Sequence, residues 1–321
     1  MDGSWQLDPS DALTLQAARS TTTYPVQVAD AFGIPPGTVT GDGLGIQFQR
    51  SRTNYSASLA IAHVSPGFRA DMGYLPKVGY TEVEPEFEYD WYSNSAWWNT
   101  SGIGAHYDWV QATGNGPMLD RMAEVYGFVK ATGQSDIQLF VRQDNQFVGG
   151  KNLALDQYEV DAKAQPVSWL GFELDAITGD GADYVGARKG RLLSVAPTVT
   201  LSPGHHLEVA FVGDFERLDV TGGRLYTANL YDLRASWYFN PRMFVRAIGQ
   251  LQDIRQDTAL YPEGTPSRSR SLATQWLFGY TLNPFTSLYA GFSNGYIGAG
   301  DAGLVETDRE IFLKLSYAFQ L

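Results

Sequence analysis

The chain has no cysteine, which excludes disulfides, thiolate metal centres and a cysteine nucleophile. Positive charge is scarce: 23 Lys and Arg stand against 35 Asp and Glu, a formal net of -12. No basic stripe is present to meet phosphates, so nucleic acid is excluded as the main partner. No run of about 18 apolar residues occurs, so no helix is expected to span a bilayer. Helical periodicity is missing too, since hardly any segment places apolar residues at i, i+3, i+4 and i+7. Met1-Asp2-Gly3-Ser4 shows neither a basic n-region nor an apolar h-region. With no signal peptide visible, the chain is expected to be a mature or truncated piece of a longer protein. Disorder is excluded by what is abundant: 13% of the residues are aromatic and only 18% are charged.

Period-2 alternation dominates instead. Ile311, Leu313, Leu315, Tyr317, Phe319 and Leu321 fall on one face of the last segment. Glu310, Phe312, Lys314, Ser316, Ala318 and Gln320 fall on the other. Segments 207–216 and 157–164 repeat the pattern. The same parity test yields about sixteen strands near 12–21, 43–51, 55–63, 79–91, 101–111, 121–131, 135–144 and 155–164. The second half gives 167–176, 191–201, 205–217, 224–238, 242–253, 270–282, 286–296 and 307–320.

Short connections, such as Arg52-Thr53-Asn54, Gln165-Pro166, Asn240-Pro241 and Asn283-Pro284, alternate with long ones at 22–42, 64–78, 145–154, 177–190, 254–269 and 297–306. The expected fold is all-β: a transmembrane antiparallel up-and-down β-barrel forming one domain over 1–321. Its short turns would be periplasmic, its long loops extracellular, and the bacterial outer membrane its location. A soluble β-sandwich is the alternative, and it demands aliphatic residues inside and polar ones outside. Aromatic residues near strand ends, among them Trp91, Trp97, Trp237, Phe239, Trp276 and Tyr317, suit membrane interfaces.

Three stretches carry a family resemblance: Phe68-Arg69-Ala70-Asp71-Met72-Gly73-Tyr74-Leu75-Pro76, Leu277 through Thr286, and Asp308 through Tyr317. The chain resembles the C-terminal outer-membrane β-barrel of a bacterial family whose members also carry an N-terminal carbohydrate-binding-family-9-like domain. The resemblance implies a barrel of unknown function without its signal peptide and N-terminal module, and it transfers no catalytic residue. The closing Tyr317, Phe319 and Leu321 resemble the terminal-strand signal read by the barrel-insertion machinery.

Glu82, Glu84, Glu86, Glu88 and Asp90 alternate with Val83, Pro85, Phe87, Tyr89 and Trp91. Carboxylates facing lipid are costly, so this acidic face is expected to line a lumen. Parity adds Asp108, Glu124, Asp144, Glu159, Asp161, Glu173, Asp175, Glu208, Asp214, Glu216, Asp232 and Glu310. The bases on that side are Lys130, Arg142, Lys163, Arg234, Arg246 and Lys314. Tyr126, Phe128, Phe140, Trp169, Tyr226, Tyr238, Phe244, Tyr289 and Phe312 are expected to face inward as well. Such a lumen concentrates cations and repels anions.

The expected function is a passive pore or uptake channel for small solutes, favouring cations. The alternative is a non-conducting anchor that presents the missing module. A divalent-cation site on the acidic strand is a weaker reading, because neighbouring carboxylates along a strand stand too far apart to share an ion unaided. No cofactor, metal or catalytic residue is assigned. His106 and Asp108 share a face, but no G-x-S-x-G elbow accompanies them. His205-His206 belongs to a turn. Thr178 to Asp183 lacks the EF-hand spacing. Outer-membrane lipid and lipopolysaccharide are the expected partners, with Arg268 and Arg270 as basic tips of a loop at 262–270.

Overall fold

The computed structural model describes residues 1–318 apart from 35, 72, 74, 76, 284 and 301. Seventeen strands belong to one antiparallel sheet. They are β1 (Asp2–Asp8), β2 (Asp11–Tyr24), β3 (Gly37–Ser51), β4 (Tyr55–Val64), β5 (Tyr80–Tyr92), β6 (Trp98–Ala112), β7 (Met118–Ala131), β8 (Ser135–Val148) and β9 (Lys151–Val167). The series continues with β10 (Leu170–Asp183), β11 (Arg188–Leu201), β12 (Leu207–Val220), β13 (Gly223–Asn240), β14 (Met243–Gln256), β15 (Arg268–Asn283), β16 (Thr286–Ala299) and β17 (Val305–Tyr317). The chain forms two compact units, one of residues 1–94, 100–127 and 140–156, the other of 95–99, 128–139 and 157–321. In the first, β1 through β6 pair in chain order; in the second, β9 through β17 do the same. The all-β, antiparallel, up-and-down class read from period 2 is the one observed.

Several expectations are corrected. Among the described residues the count is seventeen rather than sixteen, because Asp2–Asp8 forms a hairpin arm on β2. A helix exists after all: α1 (Val26–Phe32), capped by Gly33 in the left-handed region at φ 63°, and a 3-10 turn spans Thr258–Leu260. Both are too short to show a helical period.

The connections expected to be long at 145–154 and 177–190 are tight. One is Gly149-Gly150 (φ 55° and 82°), which supplies the positive φ that a two-residue hairpin turn needs. The other runs from Tyr184 to Ala187. Pro166 lies inside β9, and the turn follows it at Ser168-Trp169, so Trp169 is a turn residue. Thr178 to Asp183 belongs to β10, not to a loop, and Arg268 and Arg270 belong to β15. Asn240 and Asn283 each accept the backbone N–H two residues on, from Arg242 and Phe285 at 2.9 Å, which closes those turns. Of the closing signal, Tyr317 is 59% exposed, and Phe319 and Leu321 lie outside the described residues.

The side-chain distribution decides between the two all-β readings. Leu44, Ile46, Leu59, Ile61 and Phe87 are exposed in the first unit; Leu233, Trp276, Ile311, Leu313 and Leu315 are exposed in the second. Ile311 reaches 79%. Meanwhile the Asp232 carboxylate is 7% exposed and that of Glu124 is 10%. A sandwich with an aliphatic interior is contradicted by this inversion. No helix of the described residues is long and apolar enough to cross a membrane.

Candidate functional site

The register places the acidic residues of the first unit on one face. Gln16, Gly45, Ala62, Glu82 and Val110 form one cross-strand row over β2 to β6. Thr14, Gln47, Ala60 and Glu84 form the next, and Gln49, Ser58, Glu86 and His106 the one after. Ser56, Glu88 and Gly104 follow, with Asp90 opposite Gly102 beyond them. Leu44, Ile46, Leu59, Ile61, Val83 and Phe87 stand on the reverse face, as pleating dictates.

The carboxylates along β5 repeat every ~6.6–7 Å and find different partners. Glu84 Oε1 pairs with His106 Nε2 at 2.9 Å. Ser58 donates to Glu86 at 3.5 Å. Tyr126 donates to Glu88 Oε2 at 2.7 Å. Asp108 has a buried Oδ1 without a hydrogen-bond partner among the described residues. Arg142 on β8 donates through Nε to Glu124 on β7 at 2.7 Å, and Tyr126 packs against Phe140 with centroids 5.7 Å apart.

Small residues leave this face bare at one place, and a connecting segment fills it. After β4 the chain turns back, with Ser65 N donating to Asp42 O (2.9 Å) and Asp42 N donating to Ser65 Oγ (2.7 Å). Residues 66–68 then cross directly over β3. A Cβ on Gly41 would lie 2.5 Å from Phe68 Cα, so only glycine admits the crossing. The Phe68 ring covers Gly43, 3.5 Å from where a Cβ would stand. Arg69 N donates to Ser20 Oγ (2.8 Å), and Tyr24 donates to Asp71 Oδ1 (2.9 Å). Residues 65–71 are thus a strap on the same face as Glu82. Beside it, a cavity of about 210 Å³ is lined by Thr14, Gln16, Gln47, Ala60, Glu82 and Glu84, among others.

In the second unit the candidate residues also share a face. Asp161 stands opposite Asp175, Lys163 opposite Glu173, and Glu159 opposite Ile177. The face continues through Thr198, opposite Val212, and through Glu208, Asp214 and Glu216 on β12. It then takes in Asp232, Arg234 and Ser236 on β13, and Arg246 on β14. Gly291 beside Phe312, Tyr289 beside Lys314 and Ser293 beside Glu310 extend it to β17.

Lys163 Nζ lies 2.9 Å from Glu173, and Arg234 makes a two-pronged bond to Asp232 at 2.9 and 3.0 Å. Lys130 sits over the Phe128 ring at 5.2 Å, and Arg246 over Phe244 at 5.9 Å. Glu159, Asp161 and Asp175 each offer an oxygen within 4.8 Å of the others. This cluster lies on β9 and β10, not on the acidic strand β5. A cavity of about 450 Å³ lies here, lined by Asp136, Asp161, Lys163, Glu173, Asp175 and Thr198, among others. Glycines face the large rings: Gly279 stands beneath Phe244, and Gly291 beneath Phe312.

No family model matches the chain, and no curated protein does. Among solved structures, a bacterial polysaccharide outer membrane secretin is similar at TM-score 0.42 and 10% identity, over 96% of this chain and 98% of that one. The outer membrane channel DcaP of Acinetobacter baumannii is similar at TM-score 0.44 and 12% identity, over 98% and 99%.

The sequence reading missed the strap and the ion pairs at the strand ends. Arg50 grips Asp11 with two bonds of 2.8 and 2.7 Å, directly across β2 and β3. Asp183 has a side chain only 1% exposed, and it accepts the N–H groups of Val185 (3.0 Å) and Gly186 (2.9 Å) and the Nε of Arg188 (2.8 Å). These three donors hold the carboxylate and close the β10–β11 turn. Two other histidines make structural contacts: His63 meets Thr81 at 2.8 Å, and His206 meets the Tyr238 carbonyl at 2.6 Å while stacking on Trp237.

Proposed function

We propose that this chain is an outer-membrane channel, its sheet closed into a barrel, which passes small solutes and favours cations. The observation that carries the reading is the inversion of the two faces. An exposed aliphatic face meets hydrocarbon at low cost, whereas the carboxylate-bearing face needs water. Exposed Trp91, Tyr92, Trp97, Trp237 and Phe239 lie beside the short turns, where amphipathic rings suit a headgroup layer.

On the polar side, the face of β5 and β6 bears six carboxylates with His106 for company. This surplus of negative charge enriches cations and repels anions. The strap narrows whatever passage this face lines, with Phe68 as its apolar edge. No catalytic step is assigned.

The test is conductance of the refolded chain in planar bilayers under a salt gradient, alongside swelling of liposomes in sugars and amino acids of graded size. A reversal potential of cation-preferring sign is expected. Anion preference overturns the selectivity. Electrical silence together with swelling no faster than empty liposomes overturns the channel and favours a membrane anchor.

A further inference from the structure

A chain with a net charge of -12 gathers arginines at one end of its apolar face. The register shows the arrangement. Arg217, Thr227, Arg255 and Arg268 form a single row across β12, β13, β14 and β15, near the strand ends joined by Thr221-Gly222 and by residues 257–267. Three strand spacings make this row about 14 Å wide. Arg191 stands opposite Asp219 one row outward, and Arg270 opposite Asp253 one row inward.

Each aspartate organises three arginines. Arg224, Arg217 and Arg191 act on Asp219, and Arg224 Nε donates to it at 2.9 Å. Arg268, Arg255 and Arg270 act on Asp253, and Arg268 holds it with two bonds of 2.7 Å. Three guanidinium groups around one carboxylate leave each group with two more positive charges than negative ones.

The cost of this layout is plain. Arg255 and Arg268 are directly opposite cross-strand neighbours, a like-charge pair that destabilises a sheet unless an anion sits between. Asp253 serves both, but it lies 3.6 Å from Arg255 and is already spanned by Arg268. Below the arginines the same face turns apolar at once. Tyr231, Leu251, Leu272 and Tyr296 form one row, and Phe211 and Leu233 belong to the next. Leu233 is 51% exposed. Guanidinium groups directly above an exposed aliphatic and aromatic surface match an amphiphile, with phosphates at the top and acyl chains beneath.

We infer that the row Arg217–Arg255–Arg268, with Arg191, Arg224 and Arg270 around it, is a docking surface for the phosphorylated headgroup of a membrane lipid whose chains lie along Tyr231, Leu251 and Leu233. The inference rests on the reading of the apolar face as the lipid-facing one. It also extends the basic site beyond the loop at 262–270 that the sequence alone suggested.

The experiment uses the full chain refolded into detergent and into vesicles. Native mass spectrometry counts retained lipid A with and without its phosphates, for the wild type, for R217A/R255A and for R242A. R217A/R255A leaves the Arg224–Asp219 and Arg268–Asp253 pairs in place; R242A removes a base from a short turn. The wild type is expected to retain phosphorylated lipid A at least tenfold more strongly than the dephosphorylated form. R217A/R255A should lose that preference and R242A should keep it.

Equal retention of both forms overturns the inference, as does an unchanged preference in R217A/R255A. So does displacement of the lipid by inorganic phosphate at comparable concentration. Flotation with plain phosphatidylcholine vesicles separates the two levels. A chain that fails to float sinks the membrane reading itself, whereas one that floats without phosphate preference sinks only the docking surface.

Discussion

Tyr126 reaches across Gly104 to donate its phenolic proton to Glu88, 2.7 Å away on the strand beyond. A Cβ on Gly104 would lie 2.6 Å from Tyr126 Cε1, so the glycine is what lets the ring lie flat over β6. Y126F removes a hydrogen bond to a charged acceptor and should cost roughly 1.5–3 kcal/mol. G104V should cost at least as much, because it displaces the ring bodily. Urea unfolding followed by tryptophan fluorescence reads both, and an unchanged midpoint in Y126F would show that the bond contributes nothing net.

Charge on the β5 face should set ion preference. E82Q/E84Q/E86Q removes three carboxylates that, among the described residues, have no guanidinium or ammonium partner in a salt bridge, so the fold should tolerate it. The reversal potential in a salt gradient should move toward zero by a readily measured amount. K314Q, on the second unit's polar face, should move it the other way or leave it alone. A triple variant as cation-preferring as the wild type would show that these groups do not face the conducting path.

The strap should control passage. G41V leaves no room for the Phe68 backbone, and replacing residues 66–70 by two glycines removes the crossing without touching a strand. Both variants should raise single-channel conductance, about twofold or more if the strap occupies half the lumen cross-section. G249A, where an added Cβ meets nothing within 4 Å, should behave as wild type. Conductance unchanged in both strap variants would show that residues 65–71 lie outside the passage.

The β10–β11 turn should depend on acid. Protonation of the Asp183 carboxylate takes away the charge that strengthens the bonds it accepts from Val185, Gly186 and Arg188. Hydrogen exchange at Val185 and Gly186 should therefore show steady protection from neutral pH down to about 4, then a decline after correction for intrinsic rates. D183N should lower protection throughout and flatten the profile. A profile in D183N that matches the wild type would remove the carboxylate from the account.

The sixteen strands from β2 to β17 were legible because period 2 holds over nine or more residues in each, long enough to outweigh chance. β1 was not, since seven residues with Trp5 and Leu7 as the large apolar groups make too short a pattern. Its turn signal, Asp8-Pro9-Ser10, lay in plain view; Asp8 accepts the Ser10 N–H at 2.7 Å. The sharing of one face by Glu84 and Glu88 followed from alternation alone. Their partners did not, because His106 and Tyr126 reach them only through pairing register, which parity cannot supply. The strap left one trace, Gly41-x-Gly43-x-Gly45, three glycines on one face with nothing in the sequence to say what would cover two of them. The arginine row was hidden for the same reason: Arg217, Arg255 and Arg268 are scattered along the chain and meet only when four strands align.

Pairing between chain neighbours along β1 to β6 and β9 to β17 has an evolutionary corollary. A single inserted residue in mid-strand would swap greasy for acidic side chains all the way to the next turn, and selection should remove it. Copying or deleting a whole two-strand hairpin leaves every other residue's orientation intact. Descendants of this sequence should therefore differ in size by paired strands, with length changes inside a strand coming in twos.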